Sequence, residues 1–306
     1  MDFTLRPMST SEVLDRMFYL YKKNFVLFAG IAVLPTALAL IARLGQIAVA
    51  GVPTIGRATM PTPDALIATV GGAILIALVY SVGGTLASAA TVYALSMVHL
   101  GKPASIGESY KHVGHYFWRL MGIVMLVGLM IAGIVAVLAL SFFAGTVIPI
   151  LGILLGLVAL GIGLFFIVHL YARFSLAIPA CVLERVSSVK ALERSSFLTK
   201  GRTGRMWLVF LLTGLINFAV ASAISLPITI ATVLMMLKSK GQLPLWIVIA
   251  GQVAQFLAGT LATPITTISI GLLYYDERIR KEAFDLQYMM TAMEQPGQQQ
   301  AATAGQ

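Results

Sequence analysis

Six long apolar runs divide this chain, each long enough to cross a bilayer, which takes roughly 20 mostly apolar residues in a helix. They cover residues 25–49, 65–98, 118–142, 147–172, 206–236 and 245–274. Hydrocarbon offers no partner to backbone N–H and C=O groups, so each run must be a helix that satisfies its own. The runs at 65–98, 206–236 and 245–274 exceed the bilayer core and predict tilt or extension beyond it. Gly71-Gly72, Gly83-Gly84, Pro227 and Pro264 are the places where they can bend. Residues 142–146, uncharged and containing Gly145, predict a tight hairpin between the third and fourth spans. Residues 51–64, rich in Pro and Gly, predict an irregular loop.

The polar intervals alternate in charge. Arg6, Arg16, Lys22 and Lys23 precede the first run, and Lys102, Lys111 and Arg119 lie between the second and third. Seven basic residues fall between Arg173 and Arg205, and Arg278, Arg280 and Lys281 follow the sixth run. The other intervals hold only Arg57, Lys238 and Lys240, and Arg43 lies inside the first run. Lys and Arg resist translocation, so the basic intervals and both termini are expected on the cytoplasmic side of a bacterial membrane.

Three of the basic intervals also carry amphipathic segments. Ser9-Thr10-Ser11-Glu12 and Ser105-Ile106-Gly107-Glu108 are capping-box patterns, in which hydroxyl and carboxylate satisfy free N–H groups at a helix start. Ser187-Ser188-Val189-Lys190 keeps the serine and loses the acid. Val13, Leu14, Met17, Phe18 and Tyr21 form a helical apolar stripe, suited to the headgroup boundary. The fold expected is an all-α polytopic membrane protein with six transmembrane helices. They form three pseudo-repeats, each an amphipathic interfacial helix plus two spans, at 8–99, 104–172 and 186–274. An amphipathic C-terminal helix at 275–293 completes a single domain over 1–293. Its acids and bases, such as Asp276 and Arg280 or Glu277 and Lys281, sit four apart as in an exposed salt-bridged helix. The polar tail 294–306 is expected to be disordered.

Composition agrees and narrows the classes. The chain is 58% hydrophobic and 11% charged, against about 25% charged in soluble domains. Mean hydropathy is +0.91 and the pI about 9.8. The basic residues border spans instead of forming a polar face, so the partner they point to is anionic lipid and not nucleic acid. One cysteine, Cys181, excludes an internal disulfide and any multi-cysteine metal site.

Candidate chemistry is sparse. Ionisable or strongly polar groups inside a span mark functional positions unless they are paired or snorkel, which singles out Arg43, His169, Asn217, Gln252 and Gln255. Snorkelling is the plain reading of Arg43, and interhelical hydrogen bonding that of the amides. His99 reads as an interfacial histidine. His112 and His115 stand at i,i+3 but lack the further ligands a metal site needs. Lys190, Arg194, Lys200, Arg202 and Arg205 are candidates for lipid-headgroup contact. Ile279, Ala283, Leu286 and Met290 form an apolar seam for docking a partner protein at the cytoplasmic face. No nucleophile, acid–base pair, cofactor motif or metal cluster is legible.

Three stretches carry a family resemblance: LRPMSTSEVLDRMFYLYKKNFVLFAGIAVLP, IPACVLERVSSVKALERSSFLTKGR and LLYYDERIRKEAFDL. Together they resemble the membrane domain found ahead of the catalytic barrel in some bacterial glycerophosphodiester phosphodiesterases, a domain that also stands alone. The resemblance extends to about Met293 and implies the membrane architecture. That family's barrel carries a His-Arg pair and a Glu-x-Thr-type metal site. Neither is present, and no room for the barrel is expected after Met293. The function expected is therefore a non-enzymatic integral membrane module, a scaffold or partner-binding protein with a lipid-associated cytoplasmic face. The alternative is a transporter or lipid-handling protein with a cavity between the repeats.

Overall fold

Ser9 opens the first helix in the manner its sequence pattern demands. Its hydroxyl accepts the Glu12 N–H at 3.3 Å, and the Glu12 carboxylate accepts the Ser9 N–H at 2.6 Å. Helix α1 then runs Thr10–Lys23. Ser105 accepts the Glu108 N–H at 3.2 Å at the start of α4, Ile106–Gly114. Ser187 makes no such bond, in keeping with Lys190 in place of the acid. Ser9→Ala is expected to cost about 1 kcal/mol, read as faster amide exchange across α1. Ser187→Ala should leave exchange in the helix that follows it unchanged.

The computed structural model describes residues 8–51, 63–145, 149–239 and 243–282. Ten helices and no strand occur among them. Six are long and apolar enough to cross a membrane: α2 Phe25–Ala50, α3 Pro63–His99, α5 Phe117–Gly145, α6 Pro149–Phe174, α9 Thr203–Lys238 and α10 Leu245–Glu282. At 37 residues, α3 is about 55 Å long, well beyond the roughly 30 Å hydrocarbon core. The remaining short helices are α7 Ala177–Glu184 and α8 Ser188–Thr199.

Two expectations are revised. The residues after Tyr274 do not start a separate helix: α10 runs unbroken to Glu282, because no helix breaker lies between them. The third lead-in holds two helices, not one, broken where Arg185 adopts a left-handed backbone (φ 57°). Arg119 donates to the Arg185 carbonyl at 2.7 Å and pins that break. The helices also run through Pro227 and Pro264. Most of the loop expected at 51–64, Thr146 of the expected hairpin and everything after Glu282 lie outside the described residues.

All four short helices gather at one end of the bundle, here termed the basic end. There α1 packs on α10, α4 on α3, and α7 is wedged among α3, α5, α8 and α10. The wedge fits because it is small: Ala177, Pro179, Ala180 and Cys181 are buried. Fully buried side chains concentrate at this end, among them Met17, Phe28, Leu95, Leu120, Met206, Leu272 and Tyr274. The Tyr110 hydroxyl donates to the Ile31 carbonyl at 2.6 Å, tying α4 to α2. Burial pushes its phenol up to about 12, so it stays a donor.

Toward the other end the helices present apolar side chains outward, such as Phe142, Phe143, Phe218 and Leu237. Lipid is as apolar as these residues, so nothing drives them inward. Helix α10 is the central span, packed on α9, α2 and α3. Hydroxyls join it to α2 through Thr36 and Thr260 (2.8 Å), and the Asn217 amide on α9 donates to Thr266 (2.5 Å). Close approach of α2 and α3 depends on Gly83, where a Cβ would lie 2.9 Å from the Pro35 ring. Exposed Trp118 and Trp246 begin α5 and α10 at opposite ends, where amphipathic rings suit the two membrane–water interfaces.

Candidate functional site

Two carboxylate clusters and one open groove occupy the basic end. In the first cluster Asp276 and Glu277 are fully buried. Arg205 bridges them, bonding Asp276 Oδ2 and lying 3.0 Å from Glu277 Oε1. Arg280 bonds Asp276 at 2.8 Å, and Arg202 stands 3.9 Å from Glu277. The start of the described chain is held here too. Met8 donates its N–H to Asp276 at 2.6 Å, and its carbonyl accepts from Arg205 at 2.8 Å and Arg280 at 2.6 Å.

The second cluster centres on Glu184 at the end of α7. Arg194 on α8 bonds both of its oxygens at 2.9 Å, and the buried Tyr274 hydroxyl donates to it at 2.5 Å. Arg194 also bonds Glu282, which takes Arg278 at 3.2 Å. Of the expected i,i+4 ladder, Asp276 with Arg280 and Arg278 with Glu282 form. Glu277 turns instead to Arg205, and Lys281 donates to the carbonyls of Phe197 and Lys200. The reason is burial. An exposed i,i+4 pair contributes only about 0.2–0.5 kcal/mol, whereas a carboxylate drawn into the interior gains more from a guanidinium of another helix, here at Glu277 Oε1, with Oε2 left without a hydrogen bond. These clusters are joints between elements. Every carboxylate in them faces at least one guanidinium, which opposes the convergence of free carboxylates that a metal would need.

The groove lies between the α5–α6 hairpin and α8, and has a volume of about 790 Å³. Its apolar lining comes from Leu126, Met130, Phe174, Leu192 and Phe197. Its mouth is polar, from His169 and Arg173 on α6, Ser196 on α8, Lys200, and Thr203 at the start of α9. Arg173 is placed by Ser196, whose hydroxyl accepts from its Nε at 2.9 Å, and lies over the Phe174 ring. Its outer nitrogens have no carboxylate partner among the described residues, and neither does Lys200. Exposed Glu193 at the rim leaves an excess of positive charge. A guanidinium, an ammonium and two hydroxyls above an apolar wall match a phosphate with acyl chains below it.

The sequence candidates are distributed as follows. Lys200 lines the groove, and Lys190 is exposed on α8. Arg194 and Arg205 are bound to carboxylates inside the protein, and Arg202 is half-exposed beside Glu277. His169 lines the groove and stacks on Phe165. Arg43 bonds Gln252, which also borders a crevice between α9 and α10 lined by Gln255. Ile279 is buried within the protein itself, and Ala283, Leu286 and Met290 lie outside the described residues. His112 stacks on Tyr93, and its imidazole is held below its ordinary value by burial, then by Arg185 and His115.

Arg173, Ser196 and Thr203 were not singled out by the sequence. Arg173 ends an apolar run and reads as one more border charge. Only the return of α8 across α6 makes it part of a mouth.

A search of curated proteins and a search of solved structures each return no match. One family model matches, over residues 150–296, and it describes the membrane domain of glycerophosphoryl diester phosphodiesterase. The match takes in both carboxylate clusters but not the first of the three stretches quoted above. Over that half of the molecule, from α6 through α10, the chain is similar to the membrane domain of glycerophosphoryl diester phosphodiesterase.

Proposed function

We propose that this protein is a non-enzymatic membrane module that holds anionic phospholipid at its basic end, with that end and both termini cytoplasmic in a bacterial membrane. The observation that carries the reading is the groove, with Arg173 and Lys200 at its mouth and an apolar wall running toward the span side. Cationic side chains without carboxylate partners at a membrane border attract anionic headgroups, each contributing about 1 kcal/mol. The carboxylates of the two clusters are occupied by Arg194, Arg205, Arg278 and Arg280, which leaves the exposed Glu193 as the one acid of the groove lining against two cations. Lipid handling is favoured over scaffolding because the groove lies between the second span pair and the third lead-in, where a cavity between repeats was expected.

The test is gentle purification followed by mass spectrometry of co-purifying lipid. The wild type should retain phosphatidylglycerol or a similar anionic lipid in stoichiometric amount. Arg173→Gln with Lys200→Gln should lower retention about 30-fold, as expected for the loss of roughly 2 kcal/mol. Equal retention by both proteins excludes the groove as the lipid site.

A further inference from the structure

A second cationic recess lies at the opposite end of the bundle, independent of the groove. Arg43 sits seven residues before the end of α2, about 10 Å along the helix axis. Helical side chains incline toward the helix N-terminus, which in α2 points to the basic end. Snorkelling to the near surface is therefore the unfavourable direction for this residue. The structure agrees: the guanidinium lies over the Tyr80 ring, 5.6 Å from its centroid, and donates to the Gln252 side-chain carbonyl at 3.3 Å. Tyr80 lies deeper than Arg43, as the pairing of Gln46 with Gly72 and Pro35 with Gly83 shows.

The guanidinium thus points between α2, α3 and α10, and no carboxylate pairs with it among the described residues. Its Nε is buried with no acceptor. Beside it is a recess of about 260 Å³, bordered by Gln46, Gly51, Thr69, Val248 and Gln252. The Gln252 carbonyl faces Arg43, which leaves its amide N–H groups to donate; Gln46 is spent on the Thr69 carbonyl at 3.1 Å. Among the described residues that line it, none is acidic. A positive charge in apolar surroundings needs a counter-charge, and a planar guanidinium with a neighbouring amide presents the donors that an oxyanion takes. The volume is below the usual range of about 300–1,000 Å³ for drug-sized ligands. It suits a headgroup or a small ion, not a whole lipid.

We propose that the Arg43 recess is a phosphate-binding site, its ligand being the phosphate of a lipid headgroup or free phosphate. The recess uses none of the groove residues, so it is tested in full-length protein carrying Arg173→Gln and Lys200→Gln, which removes the groove's contribution. The thermal unfolding midpoint in zwitterionic detergent is followed in two titrations. One adds inorganic phosphate at constant ionic strength against chloride, and the other adds phosphatidylglycerol against phosphatidylcholine. A saturable rise with phosphate identifies the free ion, and a rise with phosphatidylglycerol alone identifies the headgroup. Arg43→Gln should weaken the apparent affinity about 10-fold or more, and Arg43→Lys should keep part of it. If Arg43→Gln does not fold, Gln252→Leu takes its place, and it should weaken binding several-fold. No saturable response in the parent protein, a response equalled by chloride or phosphatidylcholine, or one unchanged in the variants overturns the proposal.

Discussion

Arg205→Gln should be the most damaging single substitution in this molecule, lowering stability by about 3–5 kcal/mol. Arg205 bridges Asp276 and Glu277, both fully buried, and bonds the Met8 carbonyl with its other terminal nitrogen. Removing the guanidinium leaves two adjacent buried carboxylates with only Arg280 beside Asp276 and Arg202 at 3.9 Å from Glu277. Lysine should not substitute, because a single ammonium cannot reach both acids and the carbonyl in the geometry of a guanidinium. The readout is the unfolding midpoint on titration with a denaturing detergent. The diagnostic partner is Arg205→Met combined with Asp276→Asn and Glu277→Gln. Replacing charges together removes the unpaired acids, so this variant should recover most of the loss. If it is no better than Arg205→Gln, the cluster is not held by charge pairing.

The second large effect is expected at Glu184. Glu184→Ala removes both acceptors of the Arg194 Nε, the acceptor of the Tyr274 hydroxyl and a partner of Arg278, and leaves Arg194 its bond to Glu282. Glu184 and Arg194 are partly exposed, at 18% and 24%. Solvent screening therefore discounts the ionic part, and the expected loss is about 2–3 kcal/mol, most of it from the buried tyrosine hydroxyl left unpaired. Because Glu184 ends α7 while Arg194 and Tyr274 belong to α8 and α10, the loss should be local. Amide exchange should rise in α7 and α8 and stay unchanged in α2. Tyr274→Phe should give a smaller loss of the same pattern. Uniform loosening of every helix would contradict this picture of Glu184 as a joint.

These joints bear on the proposed function because they surround the groove without entering it. Helix α8 forms one wall of the groove with Val189, Leu192 and Ser196, and its far side carries Arg194 to Glu184 and Glu282. Lys281 fixes the turn that bears Lys200 by donating to the Lys200 carbonyl, and Lys200 itself is exposed in the groove lining. A headgroup site at a mobile membrane border needs such fixing, since ordering long cationic side chains costs entropy. The charge network thus positions the basic mouth, while the cations of that mouth stay available.

The sequence by itself determined what depends on local pattern. Apolar run length decided that there are six long helices, since a bilayer allows few other solutions. The Ser–Glu spacings at Ser9 and Ser105 determined two helix starts. Charge asymmetry marked one end as basic, and the short helices do gather there. What the sequence could not determine is which partner each charge takes. Asp276 has a base four residues on, as an exposed helix would, and that pattern reads the same whether the acid faces water or the interior. Only the docking of α1 and α9 on α10 decided that Asp276 and Glu277 are buried and that Arg205, 71 residues from Asp276 in the chain, lies between them. The same holds at Arg43, where snorkelling was the plain reading until Tyr80 and Gln252 were seen to hold the guanidinium inward. Backbone hydrogen bonds and hydrophobic burial are read over neighbouring residues, while charge satisfaction is settled across helices distant in sequence and adjacent only in space.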